Sequence, residues 1–180
     1  MLQSKPGEAR RRIHVAFLYL DLNVCTRCQG TDEVLDEAVR ELAPILEAVG
    51  IDLLVRKVNV DTAEAAHRYR FMSSPTIRVD GRDIDPAGAE SLCESCGDLC
   101  GDAVDCRDWT WRGRKYPRPP KAMILDALLR AAYGTPAAST GGGREEQEDA
   151  PYRMPANLAR FYAAMDRLGR GKDPEEGTPA

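Results

Sequence analysis

At 180 residues the chain is long enough for one compact domain plus an extension, and with 43% hydrophobic residues it can bury a core. Its formal net charge of -4 excludes a basic face for nucleic acid and a polybasic segment for anionic lipid. No stretch reaches the ~20 apolar residues that span a bilayer.

Residues 1–12 read as a flexible, polar lead-in. Arg10-Arg11-Arg12 before the apolar run Ile13–Leu20 has the outline of a signal peptide. The run is short, however, Asp21 ends it, and no small-residue cleavage site follows. A buried strand is the better reading, and with it a cytoplasmic location, where thiols are mostly kept reduced. Six cysteines in that compartment point to redox work or metal binding rather than a structural disulfide framework.

A loop, Asp21 to Val24, leads to Cys25-Thr26-Arg27-Cys28. Val34, Leu35, Ala38, Val39, Leu42, Ile45, Leu46 and Val49 recur at helical spacing, with acidic charge from Thr31-Asp32-Glu33 near the start and Gly50 as a stop. Pro44 is expected to kink this helix or split off its last turn. Ile51–Val60 reads as a second strand. Asp61-Thr62 caps a short helix running to Phe71. Thr76–Val79 is a strand, and Asp80-Gly81 is a hairpin turn into Arg82-Asp83-Ile84. Residues 85–108, rich in Gly, Asp and Cys, read as an irregular insertion without periodicity. Trp109–Tyr116 suits a small hairpin around Arg112-Gly113. Pro119-Pro120 opens a helix over Lys121–Tyr133. Residues 134–154 read as a linker with a Gly-Gly-Gly core. Residues 155–180 read as a short amphipathic helix, with a Leu158, Phe161, Tyr162, Met165 and Leu168 stripe, and a disordered end.

The placement of Cys25 and Cys28 between a buried strand and an amphipathic helix carries chemistry. Unpaired backbone N–H groups and the dipole at a helix N-terminus stabilise a thiolate, the reactive form of cysteine, and Arg27 adds a positive charge. The first cysteine is then the nucleophile, and the second resolves the mixed disulfide. The opposing reading is a pair that half-fills a metal site or is merely buried.

Cys93, Cys96, Cys100 and Cys106 form a second cluster, C-x2-C-x3-C-x5-C. Four thiolates suit a structural zinc site. They equally suit disulfides that stiffen the loop or exchange with Cys25/Cys28, or a soft-metal or metalloid site for Cu(I), Hg(II) or As(III). An iron–sulfur cluster is a weaker match, because the spacing follows neither common ferredoxin pattern. The bland reading is a staple for a polar insertion. His14 and His67 are ordinary solvated or core histidines on this reading, and no phosphate loop or hydrolase motif occurs. Trp109, Trp111 and Tyr116 are expected to pack on the core. The C-terminal stripe is expected to dock back on the domain, the rival being a partner or a second copy.

The order strand, Cys-x-x-Cys, helix, strand, helix, Ser74-Pro75-Thr76 strand, hairpin, helix resembles the thioredoxin superfamily over roughly residues 13–133. The resemblance implies an α/β, three-layer fold with a central mixed sheet, a cis Pro75 facing the cysteines, and a backbone at Ser74 that pairs with an extended substrate. Thr26, Arg27, Ser74 and Thr76 would support the site. Val24 before the first cysteine and Thr26-Arg27 between the two depart from the common members. The chain also resembles, more loosely, an uncharacterised prokaryotic thioredoxin-like family of unknown function. Two functions follow as expectations. One is a thiol–disulfide oxidoreductase using Cys25, Cys28 and Pro75, needing no cofactor, with a thiol or disulfide protein or small molecule as substrate. The other is a thiolate protein binding Zn, Cu, Hg or As through residues 93–106, without redox turnover.

Overall fold

The computed structural model describes residues 10–134 and 151–169. The expected ends of the chain and most of the linker lie outside these residues. The elements are β1 (Arg11–Tyr19), α1 (Thr26–Ala48), β2 (Ile51–Asn59), α2 (Ala63–Arg68), β3 (Thr76–Val79), β4 (Arg82–Asp83), β5 (Ala89–Leu92), α3 (Glu94–Cys100), β6 (Asp105–Trp111), β7 (Arg114–Tyr116), α4 (Lys121–Tyr133) and α5 (Ala156–Arg167).

The protein is α/β. A mixed four-stranded sheet runs in the order β2-β1-β3-β4, and β5-β6-β7 form a small antiparallel sheet. β1 pairs parallel with β2, from Arg11 opposite Ile51 to Tyr19 opposite Asn59, and antiparallel with β3. The period of two along β1 divides the interior. Ile13, Val15 and Phe17 face one core with Leu35, Leu42 and Leu46 of α1 and Ile124 and Leu128 of α4. Leu18, with Leu20 just beyond the strand, enters the other core, which holds all six cysteines, Ala66 of α2, and Leu158, Phe161 and Tyr162 of α5. The docked α5 stripe matches the expectation, except that Leu168 at its end is exposed. Trp109 is fully buried, and Trp111 and Tyr116 pack beside it.

Both hairpins use the expected turn chemistry. Asp80 and Gly81 have φ of 47° and 79°, and Arg112 and Gly113 have 49° and 76°, the paired positive values of a tight two-residue turn. Thr62 caps α2 by accepting the Ala65 N–H.

Four expectations need correction. First, α1 starts at Thr26, so Asp32 and Glu33 lie beyond its first turn. The inward side of its beginning is built from Cys28, Gly30 and Thr31, which show no aliphatic stripe. Second, the last turn of α1 is not split off: the helix continues through Pro44 to Ala48, and Pro44 is exposed, so the carbonyl it leaves unpaired can be hydrated. Ile45 and Val49 face solvent, not the core. Third, residues 11 and 12 belong to β1 rather than to a lead-in. Fourth, the insertion is ordered. β5 and β6 pair from Ala89 opposite Asp108 to Leu92 opposite Asp105, and α3 lies between them. Among the described residues, no helix is long and apolar enough to cross a membrane.

Candidate metal centre

The loop after β1 places Cys25. The Asp21 carboxylate accepts the N–H groups of Asn23 and Val24, and Gln29 Nε2 donates to the carbonyls of Leu22 and Asn23 at 2.9 and 3.0 Å. This small turn delivers Cys25 to the N-cap of α1 in an extended conformation, where its Sγ accepts the Cys28 N–H at 3.3 Å. One N–H of the helix N-terminus, that of Cys28, is therefore aimed at a sulfur, an arrangement that favours a thiolate.

The insertion brings its own cysteines to the same point. Cys93 caps α3 and donates its N–H to Val104 O at 2.8 Å, Cys96 lies in the helix, and Cys106 returns on β6 opposite Ser91. The Cys106 and Cys96 sulfurs are 3.4 Å apart. The sulfurs of Cys25, Cys93, Cys96 and Cys106 all lie within 4.8 Å of one another. All four residues are buried, and no disulfide joins any of the six cysteines.

Two of the sequence-derived groups are thus split and recombined. Cys25 keeps the Cys28 N–H on its sulfur but groups with three insertion cysteines. Cys28 faces Ser74, with Sγ and Oγ 3.4 Å apart, and Cys100 turns to the carbonyl of Asp102 at 3.7 Å. Cys100 is therefore not part of the quartet, contrary to the expected 93–106 set. The C-x2-C-x3-C-x5-C pattern shows no hint of Cys25, because that contact is made only by the fold.

The remaining site residues act as braces. The Ser74–Pro75 bond is cis. Ser74 Oγ accepts the Leu20 N–H at 3.2 Å, and its carbonyl accepts the Arg107 N–H at 2.7 Å. The backbone pairing implied for an external substrate at Ser74 is thus made by β6. Thr76 Oγ1 donates to Ser73 O at 2.6 Å and fixes the turn before β3. Thr26 N–H donates to Ser95 Oγ at 3.2 Å. Arg27 reaches across to the insertion, donating to Asp108 Oδ1 at 2.9 Å, Cys106 O at 3.1 Å, Ser91 Oγ at 2.8 Å and Leu92 O at 3.1 Å. Its charge is committed to Asp108, so the expected role of a free cation beside the thiols gives way to that of a clamp.

Two supporting residues lay outside the sequence reading. Arg107 is buried, forms a two-pronged pair with Asp83 at 2.7 Å on each arm, and lies over the Trp109 ring. Asn157 of α5 brackets Asp105, donating to its carbonyl at 2.6 Å and accepting its N–H at 2.9 Å. Neither has a local signal, because each partner is remote in sequence.

The thiols polarise one another. Hydrogen bonds from Cys106 first, then Cys28, Cys93 and Cys96, hold the Cys25 thiol far below its ordinary range. Cys93 is lowered to about 6, chiefly by its bond to Cys106. Cys106 is raised by its bonds to Cys25, Cys93 and Cys96 and by burial. Cys96 is raised as well: its bond to Cys106 pulls down, but bonds to Cys25 and Cys93 and burial outweigh it. Cys28 is raised by its bond to Cys25 and by burial. The cluster therefore places its negative charge on Cys25 and Cys93, with Cys96 and Cys106 keeping their protons.

The donor set fits a metal ion. Four soft sulfurs form a closed set, and zinc held at ~2.3 Å by each would place neighbouring sulfurs ~3.8 Å apart. The 4.8 Å limit on the quartet needs a contraction of about 1 Å at most to reach that spacing.

No curated protein and no solved structure matches the chain. Residues 13–128 match a family described as a domain of unknown function, DUF2703, a span that holds all six cysteines and stops short of α5. That match covers well over half of the sequence, and the chain belongs to the DUF2703 family.

Proposed function

We propose that this protein is a thioredoxin-like fold turned to metal binding, with Cys25, Cys93, Cys96 and Cys106 holding a zinc-class ion. The observation that carries this reading is the convergence of four buried sulfurs within 4.8 Å of one another. The sheet order β2-β1-β3-β4, the CxxC at the start of α1 and the cis Pro75 support the thioredoxin-like part. Zinc is favoured because four thiolates close its tetrahedron and leave no open position, as in structural rather than catalytic sites. Bound there, the ion would join the insertion to α1 and contribute folding energy directly. Cu(I), Hg(II) and As(III) also favour thiolates, and they compete for the same sulfurs.

The oxidoreductase reading retains one favourable observation: Cys28 donates its N–H to the Cys25 sulfur at 3.3 Å, one turn along the helix, where a resolving thiol beside a nucleophile would sit. Against it, Cys25 is fully buried, ringed by three insertion thiols, and the Ser74 carbonyl is already paired. A protein disulfide has no path to Cys25 while the insertion is in place.

The test is uptake of Co²⁺ and Zn²⁺ by anaerobic, reduced protein, read by native mass and by the absorption of a cobalt tetrathiolate. One ion per chain is expected for the wild type and for Cys100→Ser. Loss of an outer-shell partner alone costs about 10–100-fold in metal affinity, so Cys25→Ser or Cys106→Ser should lose about 100-fold or more. Unchanged uptake in Cys106→Ser would reject the site.

A further inference from the structure

The quartet leaves one thiol in contact with a ligand and outside the coordinating set. Cys28 lies one helical turn from Cys25, with its N–H 3.3 Å from the Cys25 sulfur. Its thiol contacts the Ser74 hydroxyl at 3.4 Å. Cys28 is not among the sulfurs of the quartet. Cys100, the other thiol outside the set, hydrogen-bonds the Asp102 carbonyl. When four thiolates are bound to a metal, their lone pairs are engaged. Cys28 then offers the free nucleophile in contact with a ligand.

We propose that Cys28 makes the metal site redox-releasable: joining Cys25 to Cys28 in a disulfide removes one of four ligands and frees the ion. The inference rests on the metal-site reading. The oxidant is a peroxide, small enough to enter a buried cluster. The Cys28 sulfur attacks the O–O bond, which breaks to give Cys28 sulfenic acid and hydroxide. The Cys25 thiolate then attacks the Cys28 sulfur and displaces the second hydroxide, forming the S–S bond as Cys25 leaves the ligand set. The two sulfurs together give up two electrons, the peroxide oxygens take them, and the Cys28 proton, with one from solvent, completes two waters. A disulfide sulfur is a poor ligand compared with a thiolate, so a closed four-sulfur site becomes a three-sulfur site that holds its ion weakly. Reduction by a dithiol restores the fourth ligand. The local spacing favours this pair, since Cys25 at the N-cap and Cys28 lie together at the first turn of α1.

The test loads the full chain with Zn²⁺ before any oxidant is added. Hydrogen peroxide is then given in small excess, released Zn²⁺ is followed with a chromogenic chelator, and disulfides are mapped by mass spectrometry after acid quenching. The expected result is one equivalent of Zn²⁺ released as a Cys25–Cys28 disulfide appears, reversed by a dithiol. Cys28→Ser is expected to load the same amount of Zn²⁺ and to release it at least tenfold more slowly. Equal release from Cys28→Ser, or a first wild-type disulfide joining two of Cys93, Cys96 and Cys106, overturns the proposal. If Cys28→Ser does not fold, the wild-type disulfide map alone decides. A wild-type chain that takes up no Zn²⁺ at the loading step overturns the metal-site reading itself and the switch with it.

Discussion

Arg27 Nη1 lies 2.9 Å from Asp108 Oδ1, so a residue inside the CxxC turn holds the strand that carries Cys106. Both side chains are mostly buried, at 17% and 16% exposed. The same guanidinium reaches Ser91 and the carbonyls of Leu92 and Cys106. The fork lets one side chain fasten both β5 and β6 to the start of α1. Replacing Arg27 with Ala removes this clamp and leaves the Asp108 carboxylate beside Ser91 alone. The expected cost is about 2–3 kcal/mol, below the range for a fully buried pair because both groups retain some contact with water. Arg27→Lys should recover little, because an ammonium cannot span the same acceptors. Urea denaturation of the metal-free protein measures this directly. A change within about 0.5 kcal/mol would place the clamp with ordinary surface pairs.

The sequence showed the frame of the fold well and the site only in halves. The strand Ile13–Leu20 and the turns Asp80-Gly81 and Arg112-Gly113 carry their own local chemistry, so period and turn residues were enough. The insertion lacks periodicity only when its cysteines are set apart from the apolar side chains. Cys93, Cys96 and Cys100 stand at i, i+3 and i+7, which is the inward stripe of α3 written in cysteine. The quartet itself was not legible. Cys25 and Cys106 are 81 positions apart, and their meeting depends on β6 lying against Ser74 and on Arg27 reaching Asp108. Ligand spacing reports local loops, and this site is closed by tertiary contacts.

Asn157 holds the far side of the insertion. Its amide replaces a strand neighbour by pairing with both backbone groups of Asp105, the residue before Cys106. Asn157→Ala leaves two partly buried backbone groups without a partner, at an expected cost of about 1–3 kcal/mol. Asn157→Asp keeps an acceptor for the Asp105 N–H but faces its carbonyl with a second oxygen, so it should not restore stability. The effect should be local. Amide exchange at Asp105 and Cys106 should accelerate, and alkylation of Cys96 and Cys106 should become faster than that of Cys28. Uniform acceleration across the chain would instead mean that α5 stabilises the fold globally and has no special hold on the cysteines.

Metal uptake must compete with the protons that the cluster keeps. At neutral pH, Cys25 is already ionised by its four sulfur neighbours, and Cys93 titrates at about 6, chiefly through its bond to Cys106. Cys96 and Cys106 are both raised, so each holds a proton that an incoming ion must displace. Two protons leaving per ion bound makes the apparent affinity rise about 100-fold for each pH unit, tenfold for each proton. The sign is fixed by the requirement for thiolates: affinity climbs as pH rises and falls as pH drops. Below about 6, Cys93 also becomes protonated, and the dependence should steepen toward three protons. Competition between the protein and a chelator of known affinity from pH 5.5 to 8 gives the slope, and calorimetry in buffers of different ionisation enthalpy gives the proton count independently. A slope near one proton would mean that Cys96 or Cys106 is ionised before the metal arrives, and the charge would then extend beyond Cys25 and Cys93.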